Sequence, residues 1–246
     1  MIELIDLRKQ FDGKWVTEGV SLKIPDNQMT VIIGKSGEGK SVLLKQIIGL
    51  IKPTSGKVLI NNLNIVKLPE SEMDKIFKRV GYVFQSPALL DSLTVFENIG
   101  ITLIEKGIKK SEVLEIVKEK LNLVNLSQDT LNKYPSALSG GMQKRVGLAR
   151  TLVTNPGTIL YDEPTSGLDP ITSKIIFEMM KDMQDKLSLT SVVISHNTDI
   201  FQYADNVALL ADGKIRFFGD AKTIWESKNP YIYQFIRGLS EGPLKS

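Results

Sequence analysis

The chain of 246 residues has no cysteine, and this excludes disulfides, thiolate metal sites and cysteine nucleophiles. Long hydrophobic runs are missing too. The apolar stretches fall far short of the roughly 20 residues that a membrane-spanning helix needs, so direct membrane insertion is not expected and any membrane role has to come through a partner. No sign of charge dominates: 31 basic against 28 acidic residues leave a formal +3, with the lysines spread along the chain, and nucleic acid is not an expected partner. The first residues, Met1 to Arg8, alternate like a strand and lack a basic region followed by an apolar one, so no signal peptide is expected. Neither an internal repeat nor a low-complexity segment breaks the chain. Its length suits one mixed α/β domain over residues 1–246, large enough to bury a full core.

What is present is a glycine-rich string, Gly34-Lys35-Ser36-Gly37-Glu38-Gly39-Lys40-Ser41. Met29 to Ile33 before it reads as a short buried strand, and Val42, Leu43, Leu44, Ile47 and Ile48 after it have helical apolar spacing. A glycine turn between strand and helix points backbone N–H groups at phosphate oxygens, and the helix N-terminus adds a favourable dipole. Lys40 then reaches terminal phosphates and Ser41 is placed to ligate Mg²⁺. A glycine turn with an exposed lysine is the plainer alternative, and the strand-loop-helix context argues against it.

Ile2 to Leu7, Val20 to Ile24 and Gly56 to Asn61 have strand-like alternation separated by Gly, Pro and Asn turns, which predicts an antiparallel layer beside the loop. Val80 to Phe84 is the next strand, ending on Gln85. From about Ser92 to Asn155 the pattern is helical, with Thr94 and Glu97 as a capping box and Ser111 as an N-cap. Thr158 to Asp162 and Thr190 to Ser195 resume buried strands, and Asp169-Pro170 opens a helix. Asp212-Gly213 marks a hairpin turn, and two short helical stretches come after it, the last near Tyr231 to Ile236.

Asp162 and Glu163 come directly after an apolar strand. After a phosphate-binding loop, Asp162 is placed to hold Mg²⁺ and Glu163 to polarise the water that attacks the γ-phosphate. A strand simply emerging into solvent would also end on carboxylates, though that reading gives the pair no task.

Taken with Leu138-Ser139-Gly140-Gly141, Ser166-Gly167-Leu168-Asp169 and His196, these strings resemble the ATP-binding cassette (ABC) ATPases in order and spacing over nearly the whole chain. The resemblance implies an α/β fold: a P-loop NTPase nucleotide-binding domain with a RecA-like core, an antiparallel β layer, an inserted helical subdomain at about 88–155 and a C-terminal extension at about 230–246. It implies ATP and Mg²⁺ as ligands. Gly34, Lys35, Ser36, Gly37, Glu38, Gly39, Lys40, Ser41 and Val42 would surround the phosphates, and Ser41, Gln85 and Asp162 would serve the metal. Phe11 looks like the aromatic that stacks on adenine, with Trp15 a weaker candidate and a core role the alternative for either. Glu163, His196, Gln85 and Lys40 would carry the chemistry. Ser139, Gly140 and Gly141 resemble the signature that grips the γ-phosphate of ATP bound to a second subunit, and Asp169 resembles the residue that reaches across the dimer, though it also reads as a plain helix cap. The resemblance therefore implies a two-fold homodimer.

Two residues depart from the family pattern, Met142 where glutamine is most common and Asn197 where an acidic residue is frequent, and Pro87 departs from the glycine usual in one subgroup of the family. Phe84 to Asn98, Gly140 to Arg150, Leu160 to Thr172, and the tail Gln234 to Gly238 with Gly242-Pro243 resemble the Mla/Mce-type ATPases that drive phospholipid movement between bacterial membranes. That subgroup implies an integral-membrane permease and an Mce-domain lipid carrier as partners, with the ATPase at the cytoplasmic face of the inner membrane. An importer for amino acids or another small solute is the alternative. A translation-associated cassette protein generally carries two cassettes, and a chromosome or repair protein needs a long coiled coil where this chain has 53 residues between Gln85 and Ser139. The tail beyond Asn229 is expected to pack on the second subunit.

Overall fold

The computed structural model describes residues 1–244. In chain order the elements are β1 (Ile2–Phe11), β2 (Lys14–Ile24), β3 (Met29–Ile33), α1 (Lys40–Ile47), β4 (Ser55–Ile60), β5 (Leu63–Asn64), α2 (Glu70–Phe77), β6 (Val80–Val83), α3 (Val95–Glu105), α4 (Lys110–Leu123), α5 (Gly140–Leu152), β7 (Thr158–Asp162), α6 (Pro170–Leu187), β8 (Thr190–Ile194), β9 (Asn206–Ala211), β10 (Lys214–Asp220) and α7 (Pro230–Arg237). They form two sheets. The four-stranded sheet has order β2-β1-β4-β5 and is antiparallel; the six-stranded sheet has order β10-β9-β3-β8-β7-β6 and is parallel except for the β9/β10 hairpin.

The parallel strands of the larger sheet are buried on both faces, which explains their continuous apolar runs. Successive side chains of a strand point to opposite faces. Met29, Val31 and Ile33 of β3, with Ile159 and Tyr161 of β7 and Val207 and Leu209 of β9, join a cluster that includes the helices α3 to α6. Their neighbours Ile32, Leu160, Ala208 and Leu210 join a second cluster shared with α1 and the antiparallel sheet. A one-residue slip in any of these strands would exchange the two cores. No helix among the described residues is long and apolar enough to cross a membrane.

Capping decides where the helices begin. Thr94 accepts from the Glu97 N–H while the Glu97 carboxylate accepts from the Thr94 N–H at 2.8 Å, a complete capping box. Asp169 caps α6 through the Thr172 N–H at 2.9 Å, with Pro170 as the first helical residue. Ser111, expected as an N-cap, lies one residue inside α4. The helix starts at Lys110, and the Lys109 carbonyl already accepts from the Glu112 and Val113 N–H groups. The helical pattern of 92–155 resolves into α3, α4 and α5, with short 3-10 turns at Gln128–Thr130 and Pro135–Ala137. The Asp212-Gly213 turn has both residues at positive φ, as a tight two-residue hairpin requires.

Ile232 and Ile236 of α7 are buried in the larger core of their own chain. Buried Gln234 then hooks the segment beyond α7: its Nε2 donates to the carbonyls of Leu239 and Leu244 at 3.2 Å each, and its Oε1 accepts from the Leu244 N–H at 2.7 Å. The apolar face of α7 is thus buried in cis, while Tyr233 and Leu239 of the same segment are exposed. Lys245 and Ser246 of the expected extension lie outside the described residues.

Candidate functional site

Four parallel strands of the larger sheet end side by side, and each carries a polar residue at or just past its C-terminus: the glycine loop after β3, Gln85 after β6, Asp162 and Glu163 at β7, and His196 after β8. Open α/β sheets bind their ligands at that edge.

The loop between β3 and α1 needs its glycines. Gly39 sits at φ +85°, and a Cβ there would lie 2.4 Å from Val16 Cγ1. Gly34 lies so close to the next strand that a Cβ would stand 2.3 Å from the Leu210 carbonyl oxygen. Lys40 is buried and donates from Nζ to the carbonyls of Gly34 at 2.9 Å and Lys35 at 2.7 Å, which folds its ammonium back across the loop. Burial pulls this ammonium below the usual lysine range, and the carboxylates of Glu163, Glu38 and Asp162 act in the opposite direction. Glu38 turns away to accept from the Asp212 N–H at 2.8 Å, tying the loop to the β9/β10 hairpin.

Asp162 is buried and takes two hydroxyl donors, Ser41 Oγ at 2.8 Å on Oδ1 and Tyr82 Oη at 2.8 Å on Oδ2. Burial first, and the Asp162 charge second, push the Tyr82 phenol far above its usual range. Glu163 adopts φ +50°, unusual for a residue with a side chain. Its carboxylate accepts from His196 Nε2 at 2.7 Å on Oε1 and from Gln85 Nε2 at 3.1 Å on Oε2, and Gln85 Nε2 also lies 3.1 Å from Ser166 Oγ.

These groups border one open cleft of about 760 Å³, lined by Phe11, Val16, Ser36, Gly37, Gly39, Lys40, Ser41, Val42, Gln85, Glu163 and His196. Phe11 is 42% exposed at the cleft wall, with Lys9 Nζ over its ring 4.7 Å from the centre. Trp15 is also exposed but does not line the cleft, whereas Val16, its neighbour on β2, does. Val16 was not legible as a site residue, because its place depends on the packing of β2 over Gly39. Asp162 lies behind Ser41 rather than on the cleft wall.

Ser139, Gly140, Gly141 and Asp169 are not brought to this cleft. Ser139 caps α5 by accepting from the Met142 N–H at 3.4 Å. Gly141 is buried where α5 approaches α6, and a Cβ there would lie 2.7 Å from Thr172 Cγ2. The signature and the α6 cap thus form a separate surface of the same chain. Two cations of α5 grip the segment after Gln85: Lys144 Nζ donates to the Gln85 carbonyl at 3.2 Å, and Arg150 donates to the carbonyls of Pro87 at 2.9 Å and Ala88 at 2.8 Å. Spacing alone gave no sign of these tethers, since 59 to 63 residues separate the partners.

The donor set fits a magnesium nucleotide. Among the described residues no group of three or more His, Cys, Asp and Glu could hold a metal alone. One hydroxyl beside one carboxylate, next to a glycine cradle with a buried ammonium, suits an ion that takes phosphate oxygens and water for its remaining ligands.

Residues 17–166 match the sequence profile of the ABC transporter family. The chain is 38% identical over 245 residues to the "Probable ribonucleotide transport ATP-binding protein mkl" of Mycobacterium leprae, covering 99% of this chain and 70% of that protein. It is 40% identical over 243 residues to the "Methionine import ATP-binding protein MetN 3" of Pectobacterium atrosepticum, covering 96% of this chain and 71% of that one. It is 33% identical over 247 residues to the "Intermembrane phospholipid transport system ATP-binding protein MlaF" of Haemophilus influenzae, covering 100% and 93% respectively. Among solved structures, the dimeric bacterial ABC transporter cassette MJ0796 superposes with a TM-score of 0.83 at 33% identity, covering 90% of this chain and 99% of that one. A post-hydrolysis dimer of the same cassette with ADP and Pi superposes at 0.82 and 32% identity with the same coverage. Its profile, its fold and its relatives agree: this chain belongs to the ABC transporter family, as the subunit that hydrolyses ATP.

Proposed function

We propose that the chain is the ATPase of a bacterial phospholipid transporter, working as a homodimer beneath an integral-membrane permease with an Mce-domain lipid carrier as a further partner, at the cytoplasmic face of the inner membrane. The observation that carries the ATPase chemistry is the convergence of Lys40, Ser41, Gln85, Glu163 and His196 on one cleft. Support for the lipid assignment is the likeness to the phospholipid-transport protein MlaF, which runs through all of this chain and 93% of that one. The methionine-import relative is higher in identity, 40% against 33%, and it carries the second reading, a small-solute importer.

In this reading Phe11 stacks on the adenine, and the loop N–H groups and the α1 N-terminus take the phosphates. Lys40 leaves the Gly34 and Lys35 carbonyls for the terminal phosphate oxygens. Ser41 and Asp162 would hold Mg²⁺, with Gln85 beside it; the ion neutralises charge on the β- and γ-phosphate oxygens when bound. Glu163 receives the proton of the attacking water, His196 turns its Nε2–H from that carboxylate toward the γ-phosphate, and Gln85 positions the water. Ser139, Gly140 and Gly141 of a second copy complete the site, which explains why they lie away from the cleft of their own chain. Asp169 reaches the same interface. Closure does work because nucleotide binds the closed pair better than the open one.

Mass spectrometry of proteins and lipids that co-purify with the chain from gently solubilised native membranes tests the assignment. A permease with an Mce-domain protein and phospholipid supports it. A solute-importer permease replaces the cargo and keeps the ATPase, and a chain with no membrane partner overturns the transport reading.

A further inference from the structure

Neither the glycine loop nor the pair of carboxylates at the end of β7 calls for a tyrosine inside strand β6. Yet the Tyr82 hydroxyl is one of only two donors on Asp162 among the described residues, and it lies 2.8 Å from Oδ2. The pairing that brings it there is fixed by the sheet: β6 and β7 are parallel neighbours, with Tyr82 opposite Leu160 and Val83 opposite Tyr161. The ring is held from its other side by Phe84, at a centroid distance of 4.5 Å and a tilt of 48°. The phenol is thus set by backbone register and by packing, and its hydrogen bond leaves Asp162 with Oδ1 facing Ser41.

We propose that Tyr82 is a positioning residue for the metal: it anchors Asp162 through Oδ2, so that Oδ1 and the Ser41 hydroxyl are presented together to Mg²⁺. This rests on the reading of Asp162 and Ser41 as the residues that would hold the ion. A carboxylate held at one oxygen has lost the rotation that would otherwise blur the direction of the other. Outer-shell donors of this kind orient ligands and are worth one to two orders of magnitude in metal affinity. The geometry distinguishes Tyr82 from a phenol that merely needs a partner when half buried, because the partner it has is the one carboxylate beside Ser41.

Tyr82→Phe keeps the ring and its contact with Phe84 and removes only the hydroxyl. The experiment measures ADP affinity of the purified chain by calorimetry, once in excess Mg²⁺ and once in EDTA, and takes the ratio as the metal-dependent part. Mn²⁺ binding to the ADP complex, followed by electron paramagnetic resonance, reads the same quantity without turnover. The expected result is a ratio reduced roughly tenfold in Tyr82→Phe, with affinity in EDTA unchanged and Mn²⁺ affinity lowered in parallel. Phe84→Ala, which loosens the ring but keeps the hydroxyl, is expected to give a smaller loss and serves if the first variant folds poorly. Asp162→Asn separates the two levels. If it retains the full ratio, the metal reading of Asp162 fails; if it loses the ratio while Tyr82→Phe and Phe84→Ala keep it, the role of Tyr82 alone is overturned.

Discussion

His196 Nε2 donates to Glu163 Oε1 at 2.7 Å, and this bond ties the end of β7 to the end of β8 across the cleft floor. Gln85 holds the other oxygen of the same carboxylate. Glu163 is therefore the meeting point of three strand ends, and its left-handed backbone is maintained by partners on both sides. Replacing it by glutamine preserves size but removes the carboxylate proposed as the base. Glu163→Gln should bind ATP as the parent does, accumulate as a closed dimer on gel filtration with ATP, and lose turnover by at least about 100-fold. Normal phosphate release by this variant would mean that another group takes the proton.

Gly39 lies at a left-handed φ of +85° in the glycine loop, pressed against Val16. Gly39→Ala must place a side chain at positive φ, at a cost of roughly 1–2 kcal/mol, and push Val16 aside as well. The expected outcome is at least a tenfold loss of nucleotide affinity by calorimetry, with circular dichroism unchanged.

The capping box at the start of α3 makes a local acid sensitivity. The Thr94 N–H and hydroxyl hold the Glu97 carboxyl below its usual range. A carboxylate whose folded value is lowered adds stability above its unfolded value of about 4.3, and that contribution fades as pH falls through the folded value. Melting temperatures of the parent and of Glu97→Gln should therefore differ at neutral pH and converge as pH falls through the lowered folded value of Glu97. Thr94→Ala should cost about 1 kcal/mol at neutral pH.

Gln234 holds residues 239–244 against α7 by three hydrogen bonds, none of which alanine replaces. In Gln234→Ala the Leu244 N–H and the Leu239 and Leu244 carbonyls lose their partner, a local cost on the order of 1–3 kcal/mol. Hydrogen exchange should speed up in 239–244 and stay unchanged in β3 and β7.

The sheet edge that carries the site was legible because its residues are local signals: a glycine loop after an apolar run, carboxylates after an apolar run, a helix opened by Asp169-Pro170. The strands themselves read clearly since burial on both faces leaves little room for polar residues. What escaped the sequence was long-range. Tyr82 bonds to a residue 80 positions away, and Lys144 and Arg150 reach carbonyls about 60 positions back, so no spacing rule brings them together. Val16 became a cleft residue only through its packing on Gly39. Ser111 misled because a serine near a helix start reads as a cap, whereas the chain had already turned helical at Lys110. The apolar face of α7 could be seen in sequence, but not that its own chain would cover it.

In the proposed dimer one chain supplies Lys40 and another supplies Ser139 to each working site, since Ser139 lies away from the cleft of its own chain. Lys40→Ala and Ser139→Arg should each be inactive as homodimers. Co-expressed with different tags and purified through both, the mixed dimer holds one site with both partners intact. With composite sites ATP hydrolysis should return, to about half the parental rate where the two sites act independently. A mixed dimer as inactive as either variant would contradict it.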